Sequence, residues 1–204
     1  MLGAQRLKTK RVPVIMDPYV VASFLGMMAS ALSAEAVQKG RSLFAGKVGE
    51  RVASTEVNIA DHGAMPGGIL SSPFDGEGVP TQRTVLVEGG VLQGFLHNSY
   101  TAAKDGVSST GNAVRGSFQS PPQLGSTNFY LSPGKCKPGE IIRETGDGFY
   151  LTEVMGMHTA NPISGDFSLG AAGIWIHNGE LTTPVRGMVI AGNILELLDR
   201  VDAV

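Results

Sequence analysis

The dipeptide Asn178-Gly179 sits between the apolar runs Ile174-Trp175-Ile176 and Val185 to Ile190. Asn-Gly tolerates the positive φ angles of a two-residue hairpin turn, so this stretch is restricted to two antiparallel strands. Gly89-Gly90 gives the same signal between Thr84 to Val87 and Val91 to Leu96. With 28 glycines and 11 prolines spread along 204 residues, the pattern predicts short elements joined by tight turns. Further strands are expected at Val57 to Ile59, Phe129 to Leu131 and Phe149 to Val154. The stretch Ser108 to Ser126 reads as a long loop over the surface or a cleft.

Helical periodicity is confined mainly to the two ends. Asp17-Pro18 supplies a cap and a proline at the first helical position. Val21, Phe24, Leu25, Met28 and Leu32 then recur at three- and four-residue steps, giving a helix from Asp17 to Ser33, with the Met27-Met28 pair as core filler. A second helix is expected from Ala34 to about Lys47, a short one at Glu140 to Glu144, and a last one from Asn193 to Val201. The fold class is therefore α+β: one domain over residues 1–204, a largely antiparallel β-sheet with helices near both ends. Trp175 is expected to be substantially buried, with the sheet covered on both faces.

Charge argues against a nucleic-acid partner. Sixteen basic and eighteen acidic side chains leave a formal net charge of −2. The one basic cluster, Arg6, Lys8, Lys10 and Arg11, has no aromatic residue interleaved to stack on bases. No apolar run approaches the length of about 18 to 20 residues needed to span a bilayer, and no signal-peptide core precedes the first helix. The single cysteine, Cys136, lies between Lys135 and Lys137 beside Pro138-Gly139; it reads as an exposed turn residue and fits a reducing, cytoplasmic compartment.

Familiar catalytic signatures are absent. The chain has no His-Glu-x-x-His, no phosphate-binding or dinucleotide glycine motif and no Gly-x-Ser-x-Gly elbow. His62, His97, His158 and His177 are far apart, so no metal is expected in this chain. Folding could still bring His62 with Asp61 near His158 with Glu153 or Asp166. Two stretches are dense in special residues: Pro73 to Thr84, and Thr152 to His158 continuing through Asn161 to Ser168. Turn chemistry accounts for such clusters more readily than direct chemistry does.

Those stretches also carry a family resemblance. Ser33-Ala34-Glu35-Ala36-Val37-Gln38-Lys39-Gly40-Arg41-Ser42, Phe74-Asp75-Gly76-Glu77-Gly78-Val79-Pro80-Thr81 and Ser109-Thr110-Gly111-Asn112-Ala113 occur in order with Thr152 to Gly156, Ser164 to Ser168, Trp175 to Glu180 and Ile190 to Asn193. Together they resemble the TldD/PmbA family, peptidase relatives also described as modulators of DNA gyrase. The resemblance implies the C-terminal half of a longer protein, with an N-terminal α/β domain ahead of it. Ala36 to Gly40, Ser120-Pro121-Pro122 and Trp175 look closer to the PmbA/TldE branch, which lacks the zinc motif of TldD.

The family likeness further implies a cytoplasmic metalloprotease assembly in which zinc belongs to a TldD-like partner subunit. This kind of chain would complete the chamber and bind an extended peptide or unfolded-protein substrate, as a heterodimer or homodimer; no catalytic residue is expected in it. The alternative is a non-catalytic regulatory or scaffold protein. Asp75, Glu77, Arg83, Asn112, Glu153, His158 and Asp166 are the candidate peptide- or partner-binding residues, expected to line one face or cleft.

Overall fold

The glycine-bearing turns do what their sequences require. Asn178 and Gly179 have φ of 51° and 75°, and Gly89 and Gly90 have 54° and 79°, the left-handed pair that lets a two-residue turn match the twist of its strands. A computed structural model describes residue 4 and residues 9–204. Of the basic cluster, Arg6 and Lys8 lie outside the described residues.

The elements in order are β1 (Val14–Met16), α1 (Pro18–Ala31), α2 (Ala34–Gln38), β2 (Ile59–His62), β3 (Arg83–Glu88), β4 (Val91–Leu92), α3 (Ser99–Asp105), β5 (Ala113–Val114), β6 (Gln123–Leu124), β7 (Phe129–Leu131), α4 (Pro138–Thr145), β8 (Gly148–Met155), β9 (Asp166–His177), β10 (Glu180–Asn193) and α5 (Ile194–Asp199). One sheet has the order β1-β8-β9-β10 and a second the order β4-β3-β2-β7, with β5-β6 a separate ribbon. Among the described residues every pairing between these strands is antiparallel except β1 with β8. The fold is thus the expected α+β class, and no helix among the described residues is long and apolar enough to cross a membrane.

Helix α1 joins the two sheets, packing against β7 of one and β8 of the other. Its start is fixed by Asp17, whose Oδ1 accepts a hydrogen bond from the Tyr19 amide at 3.0 Å, with Pro18 in the first turn. Its buried face is Val20, Phe24, Met28 and Ala31. Phe24 meets Phe167 of β9 edge-on, with ring centroids 5.3 Å apart and planes at 79°. These residues form one core with Ile59, Leu86 and Leu92 from the second sheet and Leu151, Leu169 and Val185 from the first. Burying a side chain such as Phe24 contributes about 1.5–3 kcal/mol.

Several elements differ from expectation. The second helix ends at Gln38, because Gly40 and Gly46 take φ of 65° and 77°, which no right-handed helix can absorb. The turns that follow drop Phe44 into the core, fully buried. The strand expected to reach Leu96 stops at Leu92; Leu96 instead bridges to Ser33 and donates its amide to the Leu32 carbonyl at 3.0 Å. Helix α3 lies where no helix was expected, whereas α4 covers the short helix expected at Glu140 to Glu144, and the long loop from Ser108 contains the ribbon β5-β6. Trp175 is only half-buried. Its cross-strand partner Phe149 takes the buried position, and Lys10 Nζ lies 5.3 Å from the Trp175 ring centroid, a charged side chain where a protein layer was expected.

Candidate functional site

The second sheet carries a carboxylate where a strand interior normally carries an apolar side chain. Asp61, in the centre of the three-strand stretch β3-β2-β7, is 1% exposed. Its Oδ1 accepts from the Thr127 amide at 2.7 Å, and its Oδ2 accepts from Thr127 Oγ1 and from Asn112 Nδ2, each at 2.7 Å. A buried carboxylate is tolerable when its lone pairs are met in this way. Asn112, itself 2% exposed, also donates through Nδ2 to the Gly125 carbonyl at 3.2 Å and accepts through Oδ1 from Thr110 Oγ1 at 2.6 Å. One strand residue therefore ties down both ends of the loop that begins at residue 110 and returns at residue 127.

A second loop is clasped to this one. Asp75 Oδ1 accepts from the amides of Glu77 and Val79, both at 2.9 Å, and Oδ2 accepts from the Ala113 amide at 3.0 Å. Glu77 Oε2 accepts from the Ser99 amide at the start of α3, at 2.8 Å. Gly111 holds the crossing: its φ is 73°, and a Cβ there would lie 2.6 Å from the Pro80 carbonyl oxygen, so a side chain is excluded on both counts. Arg115 Nε and Nη1 donate to the carbonyls of Gly76 and Ser120, both at 2.7 Å.

Of the candidate residues, Asp75, Glu77 and Asn112 come together in this network. Their oxygens are largely spent on the protein's own backbone, which makes Asp75 and Asn112 holders of loops. Arg83 opens β3 opposite His62 and donates through Nε to Tyr130 Oη at 3.2 Å. Asp166 belongs to a separate turn, accepting from Ser164 Oγ at 2.7 Å and from Asn193 Nδ2 at 2.9 Å; these bonds, Asn193 first, hold its carboxyl below the ordinary range. Asp166 also begins β9, so the stretch from Asn161 to Ser168 is partly strand. Glu153, on β8, and His158, in a single helical turn at Met157–Thr159, are both exposed. Among the described residues no hydrogen bond joins these three to the Asp75 network.

Beside the network runs a cleft of about 430 Å³. One side is α1 and α2, with Gly26, Ser30, Ala36, Lys39 and Arg41; the other is Leu124, Gly125 and Ser126 over a floor of Leu96. Its volume falls within the range of about 300–1,000 Å³ common for small-ligand sites. A shallower depression of about 260 Å³ lies between Lys47, Arg51 and α5. His97, next to Leu96, is 8% exposed and its Nδ1 is buried without a partner. Burial pulls its pKa down, against the opposing pull of Asp105 and the Thr101 backbone.

Thr127 and Ser126 were not among the candidates, and Asp61 and His97 entered only as possible metal donors; nothing around Asp61, which follows Ile59-Ala60, announced a buried clasp. Metal donors do not assemble here: among the described residues no three His, Cys, Asp or Glu side chains come together as ligands. His177 is held by Asp147 at 2.7 Å, and Cys136 is exposed.

Residues 9–204 match the family model described as the PmbA/TldA metallopeptidase C-terminal domain. A Thermotoga maritima protein described as a modulator of a DNA gyrase has a solved structure that superposes with a TM-score of 0.92 at 41% identity, covering 99% of this chain and 46% of that one. TldE from Thermococcus kodakarensis superposes with a TM-score of 0.91 at 32% identity, covering 98% and 46%. The metalloprotease PmbA homologue of Haemophilus influenzae is 34% identical over 100% of this chain and 43% of its own length. The chain thus spans less than half the length of these relatives. On the match of residues 9–204 and on these likenesses in sequence and structure, the chain belongs to the PmbA/TldD family.

Proposed function

We propose that this chain is the C-terminal domain of the subunit that lacks the metal in a cytoplasmic TldD–PmbA-type metalloprotease assembly, and that it contributes surface for an extended peptide substrate. The observation that carries the reading is the cleft beside the Asp61 network: a concave surface backed by rigid, internally satisfied loops, in a fold shared with proteins named PmbA and TldE. Such a surface suits a peptide, because backbone hydrogen bonds give affinity without strict sequence choice. The zinc of the assembly belongs to the TldD-like partner; the described residues of this chain do not form a ligand set for it, and no chemical step is assigned to them. Arg83 and Glu77, which do not line that cleft, serve as polar contacts elsewhere on the surface, toward peptide or partner.

The test is to purify the full-length protein with its relatives and assay peptide cleavage with and without chelator. Chelator-sensitive cleavage that requires both subunits is the expected result. Arg83→Ala should lower it while moving stability by less than about 0.5 kcal/mol, as exposed substitutions do. Absence of cleavage in every pairing overturns the reading in favour of a regulatory scaffold.

A further inference from the structure

The cleft between α2 and the Leu124–Ser126 wall has a donor pattern that selects a ligand chemistry. Gly125 and Thr127 are both turned inward: the Gly125 carbonyl accepts from Asn112, and the Thr127 amide and hydroxyl donate to Asp61. Ser126 between them is left facing the cleft, and neither its amide nor its hydroxyl has a hydrogen-bond partner among the described residues. On the opposite wall Lys39 is paired with Glu35 one turn away, while the guanidinium of Arg41 has no ion pair or hydrogen bond among the described residues. The backbone at Arg41 is held, its amide donating to the Ala36 carbonyl at 2.8 Å. The cleft is therefore lined by two cations against one carboxylate, and by a serine whose N–H and O–H are unspent among the described residues. Next to these donors Leu124 presents an apolar side over Leu96.

We infer that this cleft binds the C-terminal carboxylate of an extended peptide whose last side chain is apolar; the inference rests on the peptide-binding reading above. Guanidinium and amide donors take both oxygens of a carboxylate, and charge-assisted bonds of this kind are among the strongest available. A chain terminus carries its charge and its side chain on the same carbon. It thus meets Arg41 and Ser126 with its carboxylate and Leu124 with its side chain within one residue. An internal Asp or Glu holds its charge at the tip of its side chain and leaves the Leu124 wall uncovered. Arg41, with Glu35 and Lys39 on the same wall, falls in the run from Ser33 to Ser42, one of the stretches that carry the family resemblance and one that the loop network does not use.

The experiment is fluorescence polarisation with the full-length protein and three N-terminally labelled hexapeptides: one ending in leucine with a free acid, the same peptide amidated, and an amidated peptide with an internal aspartate. The free acid should bind at least about tenfold tighter than its amide, the worth of one charge-assisted hydrogen bond. In Arg41→Gln that ratio should collapse toward one. Equal binding of acid and amide, or an unchanged ratio in Arg41→Gln, overturns the inference. Binding of the aspartate peptide as tightly as the free acid also overturns it, in favour of side-chain recognition. Failure of all three peptides to bind overturns the peptide-binding reading itself.

Discussion

Asp61→Asn is the substitution that most directly tests how the loops are held. If the new amide nitrogen replaces Oδ2, it faces Asn112 Nδ2 across 2.7 Å, donor against donor. Asn112 is not free to turn over, because its Oδ1 accepts from Thr110 Oγ1 at 2.6 Å and its Nδ2 also reaches the Gly125 carbonyl at 3.2 Å. If the nitrogen replaces Oδ1 instead, it faces the Thr127 amide across 2.7 Å. Either arrangement strands a buried donor, at about 1–3 kcal/mol, and turns the surviving charge-assisted bonds into neutral ones, at about 1 kcal/mol more. Relief of the buried charge offsets part of this, leaving an expected net loss of about 2 kcal/mol. Urea unfolding should show it as a lower midpoint at unchanged slope. Thr127→Val, which removes only the hydroxyl bond, should cost about 1 kcal/mol. If Asp61→Asn is as stable as the parent within about 0.5 kcal/mol, a shift no larger than an ordinary surface change, the carboxylate is not the clasp described.

Two further outcomes follow from named groups. His97 has a pKa pulled below its ordinary value by burial, so between its folded pKa and the unfolded value of about 6.5 the unfolded chain binds the extra proton and stability rises with pH. Its share is complete above the unfolded pKa and is lost as pH falls toward the folded one. His97→Gln should flatten the profile in that window, and an unchanged slope in urea melts across it would contradict the assignment. Asp17→Ala removes the cap on Tyr19 and the acceptor for the Tyr150 hydroxyl at 3.0 Å, at about 1–2 kcal/mol. The Tyr150 pKa, raised by burial and then by Asp17, should move back toward about 10 in an ultraviolet titration.

Much of the fold was legible because turn chemistry is local. Asn178-Gly179 and Gly89-Gly90 marked their hairpins, and Asp17-Pro18 marked the start of α1, since each depends on neighbouring residues alone. Strand β9 was seen only at Ile174 to Ile176, because Leu169-Gly170-Ala171-Ala172-Gly173 lacks the branched and aromatic residues that advertise a strand. Its pairing is enforced by β8 and β10 on either side. The candidate site was legible in part for the same reason. Asp75, Glu77 and Gly111 carry turn chemistry that a sequence displays. The partners that give them a role, Ala113, Ser99 and Pro80, are all between 22 and 38 residues away, and Thr127 reaches Asp61 across 66. An interior aspartate met by neutral donors has no signature until the chain has folded around it.

The parallel pairing of β1 with β8 sets an order of entropic cost on the chain. Joining β8 to β9 closes a loop of about 15 residues, and joining β9 to β10 closes little more than a two-residue turn. Seating β1 brings together residues as far apart as Asp17 and Tyr150, 133 positions in sequence. That is about three doublings of the β8–β9 loop, an added closure cost of about 2 kcal/mol. The three-stranded meander β8-β9-β10 is therefore the part of its sheet that forms from local contacts. The N-terminal strand is a strap across it, whose seating draws on helix α1 and the core already being in place.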